Sequence, residues 1–137
     1  MPGEARRTVT VPARPEALDD VHRALAALWA EVPDVQMTDR LAFETALTEV
    51  AGNIVQHACA APALDLTLEI DVAADRLAAR FQDAGRRSTV RLDQVSLPEG
   101  LAESGRGLAL AVALVDELVY RREAGVNHWS LVRRRTG

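Results

Sequence analysis

A chain of 137 residues with 48% hydrophobic content has room for one domain and one core, and its aromatic share of 4% is low. A net charge of −4 and a pI near 5.4 argue against a bulk nucleic-acid binder. All sixteen basic residues are arginine, which excludes a phosphate-loop or Schiff-base lysine and leaves any cationic work to Arg.

In chain order, Arg7 to Pro12 alternates as a short strand does, and Pro15 opens an amphipathic helical run through Leu18, Val21, Leu25 and Leu28 to about Glu31. Pro33 breaks that run. Thr38 is a fair N-cap for a second helix from Asp39 to about Ala58, with Phe43, Leu47, Val50 and Ile54 forming its apolar stripe. Leu64 to Val72 and Arg76 to Gln82 read as two antiparallel strands joined at Ala73-Ala74-Asp75. The stretch 86–104 has no clean period and carries Pro98 and Gly100, so it is expected to be a loop that acts as a lid. A third helix is expected from Gly107 to about Glu117, with Leu108, Ala111, Val112 and Val115 facing the core. Leu118 to Arg122 and His128 to Arg133 then form a closing hairpin around Ala124-Gly125, and Arg133, Arg134 and Arg135 read as a solvated basic tail. Strand and helix do not alternate, which disfavours a doubly wound parallel sheet. The expected fold is an α+β two-layer sandwich: a mixed, mostly antiparallel sheet with helices on one face and the other face open to solvent or a partner. The single Cys59 permits no internal disulfide and suits a reducing compartment. The absence of a leader-like start and of a long apolar run points to a cytoplasmic location without a membrane segment.

Three short pieces carry candidate chemistry. On the second helix, Glu49 and Asn53 project about 40° apart beside small residues at Ala42 and Ala46. An amide oxygen can be the one protein ligand of a hydrated Mg²⁺, and a carboxylate one turn earlier can act as general base. His57 extends the same line by another turn, but with no second His nearby it does not suggest zinc. Asp83 ends an apolar strand before Ala84-Gly85; a carboxylate there can accept an adenine amine, and Gly85 lets backbone approach the ring, although Asp-x-Gly is also ordinary turn chemistry. Ser104-Gly105-Arg106-Gly107-Leu108 leads into an apolar helix, whose free amides attract phosphate. A Rossmann reading fails because Leu110 stands at the sixth position, and a Walker loop fails for lack of lysine.

Taken together, the pieces resemble the GHKL, or Bergerat-fold, ATPases, and within them the small anti-sigma-factor serine/threonine kinases. Glu49-x-x-x-Asn53 with His57 matches the family's N box, Asp83-Ala84-Gly85 its first glycine box, and Gly105-Arg106-Gly107-Leu108-Ala109-Leu110 its second. The resemblance spans nearly the whole chain, as a single domain 1–137, and implies a Bergerat fold that binds ATP and Mg²⁺ under a lid at 86–104. It implies nucleotide contacts from Asn53, His57, Asp83, Gly85, Ser104, Gly105, Arg106, Gly107 and Leu108, with Mg²⁺ on Asn53 and with Glu49 and Arg106 in catalysis. It implies phosphorylation of a serine on a STAS-type anti-sigma-factor antagonist, sequestration of a sigma factor in an alternate complex, and a homodimer, without nucleic-acid or membrane contact. A non-catalytic module that binds ATP and acts by protein–protein contact has the same motifs, and a self-contained ATPase is a third possibility. Two positions depart from the family pattern. Glu103 stands where some members carry an Arg that reaches the terminal phosphate, and Gly125-Val126-Asn127 replaces a frequent Gly-Thr before the last strand. The apolar face of the first helix and the edge of the Arg7 to Pro12 strand are candidate dimer or partner surfaces.

Overall fold

A computed structural model of the chain describes residues 3–58, 64–85 and 103–136, without the side chains of 57–58 and 103–106. Its elements are β1 (Ala5–Pro12), α1 (Ala17–Glu31), α2 (Met37–Ala58), β2 (Asp65–Val72), β3 (Arg76–Asp83), α3 (Glu103–Leu114), β4 (Glu117–Glu123) and β5 (Val126–Arg134). The five strands form one sheet in the order β1-β2-β3-β5-β4, and every neighbouring pair is antiparallel. The expected mixed sheet is therefore antiparallel throughout, because hairpins join β2 to β3 and β4 to β5 and no crossover returns a strand in parallel.

The period of two decides which face is covered. Leu66, Leu68, Ile70 and Val72 on β2, Leu77, Ala79 and Phe81 on β3, and Trp129 and Leu131 on β5 are buried on one side. The three helices cover that side. On the open side the strands satisfy one another with short polar pairs, such as Arg6 with Asp71 at 2.7 Å and Arg80 with Glu69 at 2.9 Å.

The helix α1 buries Ala17, Val21, Ala24, Leu25, Leu28 and Trp29. Its apolar face is thus core rather than the partner surface suggested above, whereas β1 does lie at a sheet edge. The helix stops where the Val32 N–H closes onto the Leu28 carbonyl at 2.8 Å, and Pro33, having no N–H, prevents continuation. Trp29 sets the joint to α2. Its ring meets Phe43 edge-on at 6.5 Å, and its Nε1 donates to Glu44 Oε1 at 2.5 Å.

Four sequence expectations need correction. The helix α2 begins at Met37, so Thr38 lies in its first turn, and Gln36 takes the capping place by accepting the Arg40 N–H at 3.0 Å. The arginine run is not a solvated tail. Arg133 Nε pairs with the fully buried Asp39 at 3.0 Å, Arg135 Nη2 pairs with Asp34 at 2.9 Å, and only Arg134 of the three is exposed. The helix α3 starts four residues earlier and stops three residues sooner than the sequence suggested. Val112 on it is 36% exposed, while Val115 packs against the core from beyond the helix end. Of the loop expected at 86–104, residues 86–102 lie outside the described residues, and Glu103 and Ser104 are helical.

Candidate functional site

Glu49 and Asn53 share a face of α2, as their spacing requires. Glu49 is half-buried, and its carboxylate lies against α3 at Gly107: a Cβ built on that glycine would collide with Glu49 Oε2 and come within 3.2 Å of its Cδ. The glycine is in the interior of a helix, where Ala is favoured by about 1 kcal/mol. The carboxylate therefore explains the missing side chain better than helix propensity does. One turn on, Asn53 is 6% exposed, and its Nδ2 is buried without a hydrogen-bond partner among the described residues. Leaving a buried amide unpaired costs about 1–3 kcal/mol. An orphaned amide next to a carboxylate is unusual in a core and is the expected state of a group that serves a ligand.

Asp83, the last residue of β3, is 6% exposed and points to the helix-covered side. Its Oδ1 accepts two hydrogen bonds, from the Gly85 N–H at 2.9 Å and from Asn127 Nδ2 at 3.0 Å. The first of these closes the Asp-Ala-Gly turn, so the turn chemistry and the proposed recognition role occupy the same residue. A Cβ at Gly85 would stand 2.8 Å from Asp83 Oδ1. Both site glycines thus make room for a site carboxylate, and neither has the positive φ that would otherwise call for glycine.

The second glycine box differs from its expected form. With α3 described from Glu103, the amides of Glu103, Ser104 and Gly105 have no intrahelical partner among the described residues, and the amides of Gly107 and Leu108 fall within the helical ladder. The Leu108 side chain is fully buried in the core. Early helix formation moves the anion-attracting end of α3 a full turn back from Gly107, to Glu103. His57 lies in the last turn of α2, and its side chain, like those of Ser104 and Arg106, is outside the described residues.

Three residues around Asp83 complete the site. Asn127 faces Asp83 in the β3–β5 register, and its Oδ1 accepts from Tyr120 Oη at 2.6 Å and from Arg122 Nη1 at 3.0 Å. Arg122 Nη1 also donates to the Gly85 carbonyl at 2.8 Å. Asn127 was visible in the sequence as a departure from the family pattern, but Tyr120 and Arg122 were missed. Their alternation with Leu118 on β4 was the available signal, since period two places all three on one face.

Comparisons with known proteins bear on the family and the fold. The sequence model of the histidine kinase-like ATPase domain matches residues 11–133, and the chain belongs to that family. Among solved structures it is similar to the RsbU and RsbW domains of Rv1364c from Mycobacterium tuberculosis, at 22% identity and a TM-score of 0.72 over 96% of this chain. At that identity the likeness is one of fold, and the chain spans 32% of the solved one. Comparison with curated proteins gave no match. Membership of an ATPase-domain family implies ATP binding. The described residues hold no cluster of three or more His, Cys, Asp or Glu suited to a metal, and no helix among them is long and apolar enough to cross a membrane.

Proposed function

We propose that the chain is an ATP-dependent serine kinase of the anti-sigma-factor type, acting on a serine of a small STAS-type antagonist. The observation that carries this reading is the seating of the Glu49 carboxylate against Gly107 of α3, one helical turn from the orphaned amide of Asn53. An acid held against the second turn of α3, one turn in from the helix end that attracts phosphate, is suitably placed to take a proton from an incoming hydroxyl.

Asn53 would hold a hydrated Mg²⁺ through Oδ1, since the ion needs only one or two protein oxygens and completes its shell with water and phosphate oxygens, while the orphaned Nδ2, a donor, would suit a phosphate oxygen. When bound, the ion would neutralise charge on the transferred phosphoryl group. Asp83 would accept the adenine amine, and the free amides at 103–105 with Arg106 would steady the terminal phosphate. Glu49 would accept the serine proton as the hydroxyl attacks. Sequestration of a sigma factor and assembly as a homodimer belong to the same reading, supported by the family resemblance and by the presence of an RsbW domain in the similar solved structure.

The test is incubation with γ-labelled ATP and a STAS-type partner. The parent should transfer label to a partner serine, and Glu49→Ala should keep nucleotide binding while losing about 100- to 10,000-fold in transfer rate. Complex formation without any transfer by the parent would favour the non-catalytic ATP-binding module. Transfer by Glu49→Ala at the parent rate would remove Glu49 as the base.

A further inference from the structure

The carboxylate of Asp83 is held from behind by a polar relay with a definite direction. Asn127 has two acceptors on one side of its amide, Asp83 Oδ1 at 3.0 Å and the Gly85 carbonyl at 3.4 Å. On the other side it has two donors, Tyr120 Oη at 2.6 Å and Arg122 Nη1 at 3.0 Å. Only one amide orientation satisfies all four, with Nδ2 toward the carboxylate; the flipped amide would set oxygen against oxygen and N–H against N–H. The ambiguity usual for an asparagine is therefore removed by its neighbours. Asn127 is 3% exposed, so a wrong orientation could not be relieved by water.

The consequence falls on Asp83. With Oδ1 engaged by the Gly85 N–H and by Asn127, the carboxylate is fixed in rotation, and no donor among the described residues reaches Oδ2. We propose that Asn127, with its orientation set by Tyr120 and Arg122, is the positioning residue that turns Asp83 into a reader of the purine 6-position, presenting Oδ2 to a 6-amino group and repelling a 6-oxo group. This rests on the reading of the site as one for ATP. Asn127 acts through Asp83 and touches no reacting atom, so its removal changes base selectivity rather than phosphate binding. The Arg122 guanidinium holds the Gly85 carbonyl and the Asn127 oxygen together, which ties the turn after β3 to the edge strand β4.

The deciding measurement is a calorimetric comparison of ATP with purine riboside triphosphate, which lacks only the exocyclic amine, on the parent, Asn127→Ala and Tyr120→Phe. A hydrogen bond to a charged group gives roughly a tenfold or greater preference, so the parent should favour ATP by at least that factor. Asn127→Ala should bring the ratio close to one by weakening ATP more than the analogue. Tyr120→Phe, which removes one hydroxyl from the far side of the relay, should lower the ratio part of the way, and it decides the matter if Asn127→Ala does not fold. An unchanged ratio in the variants, or an equal weakening of both ligands, would overturn the inference and leave Asn127 a structural amide. A parent that binds neither nucleotide would sink the ATP reading itself, and the inference with it.

Discussion

Gly107 and Asp39 show how much single residues decide here, the first for function and the second for stability. In Gly107→Ala the new Cβ must displace the Glu49 carboxylate, yet an alanine in a helix interior is favoured by about 1 kcal/mol over glycine. The variant should thus melt no lower than the parent and bind nucleotide within a few fold, while transfer falls by about 100-fold. Equal transfer rates would show that the carboxylate has another productive position. Asp39 has the opposite character. Burial alone would raise its pKa, but the Thr136 N–H and hydroxyl and the Arg133 guanidinium outweigh burial and hold it below the ordinary carboxylate range. A lowered native pKa means that the stabilisation is complete above the unfolded value of about 3.9 and is lost as pH falls through the lower native value. Asp39→Asn should lose about 3 kcal/mol at neutral pH, near the low end for a broken buried pair because Arg133 keeps some solvent, and urea titrations should show a shallower acid limb than the parent. None of this was legible in the sequence, where Asp39 entered only as the start of the second helix and its partner lies near the opposite end of the chain.

The elements themselves were largely legible, and the exceptions have physical causes. Apolar periods located α1 and α2, and alternation located β2, β3 and the closing hairpin, because each element buries one face. The start of α3 was misplaced because Ser104 and Gly105 are poor helix formers, so local propensity set the boundary at Gly107, whereas packing of α3 on α2 extends the helix to Glu103. The hairpin turn carries a cost of its own. Ala124 has φ 52° and Gly125 has φ 79°, the two left-handed positions of a type I′ turn, and only the glycine tolerates its place freely. Ala124→Asn should stabilise the protein by about 0.5–1 kcal/mol and raise its melting temperature by about 2–4 °C, seen by thermal denaturation. A lower melting temperature would mean that the tight turn depends on the small side chain.

At the scale of the whole molecule, a sheet covered on one face by three helices gives a core that the composition can fill, and the candidate site lies in this helix layer and at strand ends on the same side. The acids and the amide of the site were readable as motifs because family pattern and helical spacing agree. The relay from Tyr120 and Arg122 was not, since it depends on strand register between β3, β5 and β4. A ligand that binds only the folded chain adds to its stability: at a hundredfold excess over Kd, Mg-ATP should contribute about 2.7 kcal/mol, seen as a higher denaturant midpoint. Asn53→Ala should lose the Mg²⁺-dependent part of that gain and keep any part due to nucleotide alone. A gain indifferent to Mg²⁺ in the parent would remove Asn53 as its ligand.

The pairing of Glu49 with Gly107, and of Asp83 with Gly85, makes each acid and its glycine a single heritable character. A larger residue at either glycine becomes acceptable only once its acid has shortened or moved, so mutational paths through these positions must be ordered. A side chain at Gly107 is thus open to the fold but not to transfer, because the flexible Glu49 can yield to a Cβ only by leaving its place.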